Sequence, residues 1–281
     1  MEEERQLNGD GGHLLGNFKN YYSFHPVAHR LKLFPQNFFT DLHESQGFPK
    51  ELFLLDVGCN EGDLSIAIYF HAQSELTGAS RDCKVKMIGT DIDDTLIDRA
   101  IEKSKHIEAD VLFLAMDYMD LGSEEKLRSV LRLYGATSFD FVSVFSITMW
   151  IHINHGWNGL NRFLRQSLLL TRACLLVEPQ PRKCYRNART RCRKQKLTPP
   201  IYLEQSFQED TSSSESTDEI VRNMLFSHCR NGTVVEQDSN TIQEGSNGMV
   251  LDGGVVETML RCCNWGTEDW GRSLLLFEKV R

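Results

Sequence analysis

Acids stand at the ends of three apolar runs: Asp56 in LFLLDVGCNEGD (Leu52–Asp63), Asp91 after Val85–Gly89, and Asp117 after Val111–Ala115. Gly58 and Gly62 surround Asn60 in the first, and a polar-to-apolar pattern (Leu64, Ile66, Ala67, Ile68) follows. A buried strand that turns tightly on glycine into a helix brings bare backbone N–H groups and a helix N-terminus up to a ligand. An acid at the end of the next strand can accept from ribose hydroxyls, and a third can accept from an adenine amino group. No GxxxxGK[ST] loop is present, which argues against a nucleoside triphosphate with magnesium. The turn reads GxNxG rather than GxGxxG, and Asp56, Glu61 and Asp63 beside it would repel a pyrophosphate. A cofactor carrying a sulfonium and an ammonium tolerates those acids, which favours S-adenosylmethionine over a nicotinamide dinucleotide.

These residues need a scaffold that gathers strand ends. Apolar runs at Leu52–Val57, Val85–Thr90, Val111–Ala115, Phe139–Phe145 and Ala173–Val177 read as strands. Helical periodicity falls between them: over Asp63–Phe70, from about Asp94 to Lys105, over Ser123–Tyr134, and from about Gly159 to Leu170. Repeated strand–helix alternation predicts a mostly parallel, doubly wound α/β sheet with right-handed crossovers. Two terminal runs, Val255–Cys262 and Ser273–Val280, predict an antiparallel strand pair at one sheet edge. Ligands of such sheets bind beyond the carboxyl ends of the strands. Standing there are Asp56, Gly58, Asn60 and Gly62, then Asp91 and Asp93, Asp117 and Tyr118, Phe145 to His155, and Glu178, Gln180 and Lys183.

The chain of 281 residues carries a net charge of −8, and no apolar run nears the ~20 residues needed to cross a bilayer. It opens on MEEERQLNGDGGH, acidic and polar, unlike a signal or transit peptide. Residues 1–15 are therefore expected as a disordered leader and 16–281 as a single domain. Eight cysteines without CxxC spacing argue for reduced thiols rather than a disulfide framework or a zinc ribbon. The negative total hides a basic arm, Arg182–Lys196, with eight Lys or Arg and no acid. Screening limits the reach of distant acids to about a Debye length, ~8 Å at physiological salt, so this arm can follow a phosphate backbone. A solvated helix face is its plainer reading. Polar stretches at about 204–217 and 231–252 are expected as loosely ordered loops. Gly16–Leu33 (GNFKNYYSFHPVAHRLKL) is too aromatic for a linker and is expected to lie over a cleft in the main body.

From about Gly16 to the end, GNFKNYYSFHPVAHRL, DVGCNEGDLS, TDID, SITMWIHINHG, VEPQPRKCY and WGRSLLLF resemble, in order, the bicoid-interacting-three family of RNA methyltransferases. The resemblance is closest to its short members, which act on RNA 5′-monophosphates. It implies a Rossmann-type S-adenosylmethionine-dependent methyltransferase. Arg30, Asn60, Asp91, Asp117, Tyr118 and Phe145 match the family's cofactor contacts, and Gly58 joins them from the glycine turn. Arg30 would suit the methionine carboxylate as a bidentate partner, Asp91 would hold the ribose, and Asp117 with Tyr118 would frame the adenine. The resemblance further suggests small RNAs with 5′-monophosphate ends, such as histidine tRNA or microRNA precursors, and a cytoplasmic location. A monomer without metal, DNA or membrane partners is expected. Relatives that methylate a γ-phosphate on small nuclear RNA carry a lysine at the position of Met149, and its loss fits an end with fewer phosphates. The family's EPQPW reads EPQPR here, so Arg182 replaces a ring that could stack on a base and adds charge to the arm.

A phosphate monoester is largely a dianion near pH 7, its second pKa around 6, so methyl transfer to its oxygen needs alignment more than a strong base. Tyr21, Tyr22 and His25 of the leader, with His152 and His155 beyond the fourth strand, are the candidates for holding the phosphate. Lys183 and Arg186 would add charge and contact the RNA strand. Each has a plainer reading. His152 and His155 at i, i+3 lack a third ligand for a metal, one could be a hydrogen-bonded core histidine, and the tyrosines could simply dock the leader. The alternatives are a γ-phosphate RNA capping methyltransferase, or a small-molecule or protein methyltransferase, which the fold would also permit. An inactive RNA-binding module is the different-class reading, against which Asn60, Asp91 and Asp117 argue.

Overall fold

The computed structural model of the chain describes residues 12–209, 215–235, 242–245, 256–267 and 271–280. The acidic start of the leader, the remainder of the two polar stretches and Trp270 lie outside the described residues.

Strand β1 (Glu51–Val57) is apolar on both faces and buried from Leu52 onward, as a strand covered by helices on both sides must be. It lies between β2 (Lys84–Asp91) and β4 (Phe139–Phe145), parallel to both. β3 (Val111–Ala115) continues the sheet beyond β2, and β5 (Thr171–Glu178) beyond β4. The strand order thus reverses between β1 and β4, opening a crevice at their carboxyl ends. Past β5 the direction changes: β9 (Ser273–Val280) is antiparallel to β5, and β8 (Val256–Thr267) antiparallel to β9. This is the Rossmann-type, mostly parallel doubly wound sheet with its antiparallel C-terminal pair. The pair is not at the sheet edge, however. β6 (Cys229–Val235) runs parallel to β8, and β7 (Ile242–Gly245) antiparallel to β6. Part of the stretch expected as a loop at 231–252 therefore extends the sheet, which has nine strands among the described residues. Main-chain ladder bonds hold such short strands without an alternating apolar pattern to announce them.

Successive residues of β1 feed opposite faces. Phe53, Leu55 and Val57 join Leu127, Leu131, Phe163 and Leu168 on one side, while Leu52 and Leu54 join Phe34, Phe38, Phe39 and Trp265 on the other. Trp265, without a role in the sequence, packs its ring 4.7 Å from Phe38 and 5.1 Å from Phe34, and so ties the root of the leader to β8. The helix after β1 spans Asp63–Gly78, about two turns beyond the expected end at Phe70, because Ala72 and Leu76 continue the buried face of Leu64 and Ile68. Asp93 caps the helix Asp94–Ser104 by accepting from Thr95 N (2.8 Å) and Leu96 N (3.3 Å). The helix after β4 starts at Thr148 rather than Gly159 and runs to Leu170, broken at Gly156 (φ 69°, ψ −176°). The basic arm is a helix, Arg182–Gln195. Residues 204–209, expected in a loop, end a helix over Ile201–Glu209. Among the described residues no helix is long and apolar enough to cross a membrane.

Candidate active site

Where β1 stops, the chain needs left-handed backbone at Gly58 (φ 78°), Asn60 (φ 54°) and Gly62 (φ 79°). A Cβ on Gly58 would stand 2.5 Å from Ile147 Cγ2, and one on Gly62 2.6 Å from Phe113 Cζ. The turn is clipped to β2: Gly58 N and Cys59 N donate to Thr90 O (2.8 and 2.9 Å), and Asn60 N to Asp91 Oδ2 (2.9 Å). The leader closes over it. Asn60 Nδ2 donates to Phe18 O (3.0 Å), Asn20 N to Glu61 Oε1 (3.1 Å), and Asn17 Nδ2 to the Asp93 carboxylate.

These elements bound a cleft of about 900 Å³ that is continuous with solvent. Arg30, Gly58, Asn60, Asp91, Asp117, Tyr118 and Phe145, the expected cofactor residues, all line it. Its acceptors suit an adenosyl group. Among the described residues, Asn60 Oδ1 is buried without a hydrogen-bond partner. Asp91 accepts two backbone amides, Asn60 N and Asp93 N, yet burial still pushes its carboxyl up to about 6. Ribose hydroxyls would relieve that by donating to it. The Tyr118 ring is set edge-on to Phe163 at 5.2 Å, and its hydroxyl accepts from Ser167 Oγ at 3.3 Å. Arg30 is fully buried, and its Nε and Nη2 grip Glu178 (2.7 and 3.0 Å), so this edge of the guanidinium holds a protein carboxylate.

A second cavity, of about 1270 Å³ and likewise continuous with solvent, adjoins the first; Gly16, Tyr21, Ser146 and Trp150 line both. Its walls carry cations: Lys19, Lys183, Arg191 and Arg272, with His25 beside them. Burial, Arg272 and Arg30 hold the His25 imidazole down at about 4, so it is neutral at pH 7. Of the residues expected to hold the phosphate or to contact the RNA strand, Tyr21, His25 and Lys183 line this cavity, and Tyr22 and His155 line the first. His152 and Arg186 line neither. His152 is a core histidine, its Nδ1 3.0 Å from Tyr185 Oη and its ring stacked on Trp157 at 3.6 Å; burial and Arg182 hold it at about 4. Arg186 is exposed on its helix.

Arg272 was missed by the strand-end reading, and Ser146, inside the stretch taken from the end of β4, was given no role. Gln180 shapes the Ser146 turn (φ 58°), donating from Nε2 to Ser146 O at 2.5 Å while Oε1 accepts from Met149 N at 2.8 Å. Arg272 precedes β9. An antiparallel strand enters the sheet at the edge where parallel strands leave it, so the residue before it is delivered to the same crevice. At the shared wall Glu178 Oε1 accepts from Arg30 Nη2 (3.0 Å), Arg272 Nη1 (2.9 Å) and Ser146 Oγ. Two guanidiniums on one carboxylate leave net positive charge between the cavities. Among the described residues, no three His, Cys, Asp or Glu group as metal ligands.

The family model described as Bicoid-interacting protein 3 (Bin3) matches residues 139–245. The RNA 5′-monophosphate methyltransferase of Mus musculus is 38% identical over 270 residues, covering 94% of this chain and 82% of that protein. The Pre-miRNA 5′-monophosphate methyltransferase of Xenopus laevis is 41% identical over 186 residues, covering 64% of this chain and 71% of its own. A solved structure, magnesium protoporphyrin IX methyltransferase from Synechocystis PCC 6803 with bound SAH, overlaps 99% of this chain and 94% of its own at 14% identity and a TM-score of 0.47. With relatives this similar along most of both sequences, the chain belongs to the Bicoid-interacting protein 3 family.

Proposed function

We propose that this protein is an S-adenosylmethionine-dependent methyltransferase that methylates the 5′-terminal monophosphate of small RNAs, acting as a monomer in the cytoplasm. One observation carries the reading: two cavities of opposite chemistry, acid-lined and cation-lined, share the wall formed by Tyr21, Ser146 and Trp150. The names of the relatives, RNA 5′-monophosphate and Pre-miRNA 5′-monophosphate methyltransferase, support it.

When bound, S-adenosylmethionine supplies an electrophilic methyl group on a cationic sulfur. Asp91 at the end of β2 and Asn60 in the β1 turn would hold its adenosyl and amino acid parts, with Asp117 and Tyr118 at the adenine end. Across the shared wall, the cations would neutralise a phosphate and leave one oxygen facing the cleft. The dianionic phosphate needs no base stronger than water near pH 7. Most of the acceleration would then come from alignment. Met149, 2% exposed, lines the second cavity with an uncharged thioether.

The test is transfer of label from S-adenosylmethionine to otherwise identical RNAs bearing 5′-hydroxyl, monophosphate or triphosphate ends. Label on the monophosphate RNA alone is the expected outcome. Label on the hydroxyl RNA or on internal bases would reject the reading.

A further inference from the structure

The two arms of the Arg272 guanidinium have unequal surroundings. Nη1 donates to Glu178 Oε1 at 2.9 Å, to Tyr21 Oη at 3.0 Å and to Ser146 Oγ. Among the described residues Nη2 has only the Cys184 sulfur, at 3.9 Å, and a thiol is a weak acceptor. The side chain is 11% exposed and lines the second cavity. A permanently charged fork is thus anchored by one arm and poorly satisfied at the other, beside open space. A phosphate oxygen matches it in charge and in geometry.

The surroundings add to this match. Glu178 is fully buried and divides its charge between Arg272 and Arg30, so the cluster is not neutralised from within. Lys183 and Cys184 begin the helix Arg182–Gln195, whose first turn also lines the cavity and presents the positive end of its dipole. Lys183 is exposed on a flexible stem, whereas Arg272 is held in place before any ligand arrives, which lowers the entropy lost on binding. Tyr21 and Ser146, which bond its anchored arm, also line the cofactor cleft, so an anion on the other arm lies next to that cleft.

We infer that Arg272 binds the terminal phosphate of the substrate through Nη2, in place of the Cys184 contact, and that Glu178 positions it. The same carboxylate holds Arg30 and so fixes the phosphate site relative to the cofactor cleft. This assignment rests on the reading of the second cavity as the one that receives the RNA end.

The test compares binding of two labelled RNA oligonucleotides, identical except for a 5′-monophosphate or 5′-hydroxyl end, with S-adenosylhomocysteine present. The wild-type protein is expected to prefer the phosphate end by about tenfold or more, as one charge-assisted hydrogen bond supplies. Arg272→Gln brings that ratio near one, and Arg272→Lys restores part of it. Cys184→Asp retains the arginine but offers Nη2 a competing carboxylate, and is expected to abolish the preference as well. It decides the matter if thermal melting shows that Arg272→Gln does not fold. A folded Arg272→Gln or Cys184→Asp protein that keeps the preference overturns the assignment and leaves the functional reading intact. A wild-type protein with no preference overturns that reading, and the assignment with it.

Discussion

Asp91 sits between the Asn60 and Asp93 amides, and burial lifts its carboxyl to about 6. In the free protein its ionisation opposes folding: the linked stability is full below the unfolded pKa of about 3.9 and is lost as pH rises through about 6. Donors from a bound ribose would favour the ionised form. Affinity for S-adenosylhomocysteine is therefore expected to fall as pH drops below about 6, with proton release on binding visible by calorimetry in buffers of different ionisation enthalpy. Asp91→Asn should weaken that affinity about tenfold and flatten its pH dependence. Glu178 makes a different prediction. Its removal leaves two buried guanidiniums without their shared counter-charge, and breaking a buried pair from one side costs about 3–5 kcal/mol. Glu178→Gln should lower the urea midpoint accordingly, with the slope of the transition unchanged.

The leader is the element on which both cavities depend. Asn17, Phe18 and Asn20 fasten it to the β1 and β2 turns, and Gly16, at φ 84°, packs so closely on Trp150 that a Cβ would lie 2.4 Å from the indole nitrogen. Gly16→Ala combines that clash with left-handed backbone, a strain of about 1–3 kcal/mol. The leader should respond by undocking: cleavage of residues 16–25 in limited proteolysis should quicken and S-adenosylhomocysteine affinity fall, while the melting temperature of the sheet changes little. The leader's place over a cleft was legible because so many aromatics need an apolar surface. The helix start at Thr148 was not legible. SITMWIHINHG shows no polar face, since Met149, Trp150, His152 and Ile153 are all buried there, and an element buried on most sides loses its periodicity.

At the scale of the whole molecule, a chain of net charge −8 presents a basic helix beside its second cavity. Arg186, Arg193 and Lys194 are exposed on that helix and outside the cavity lining. Neutralising them should weaken binding of phosphate and hydroxyl RNAs alike. The slope of log affinity against log salt should shrink by about 0.7–0.9 for each lost phosphate contact. End preference should survive, since it belongs to the cavity and not to the arm. A change in end preference without a change in salt slope would reverse these assignments.

What the sequence by itself determined was the parallel core and the residues at its strand ends. Apolar runs, glycine turns and acids recur in an order that one sheet topology satisfies, and that topology carries Gly58, Asn60, Asp91 and Asp117 to a common edge wherever the rest of the chain goes. Tertiary structure alone decided which side chains face which cavity. His152 turned into the core because Tyr185 and Trp157 meet it there. Arg30 met Glu178 across the sheet, and Arg272 reached the crevice because an antiparallel strand enters from that side. Contacts between residues far apart in the chain leave no periodicity for sequence to record, so partner, burial and charge at those positions are settled only by packing.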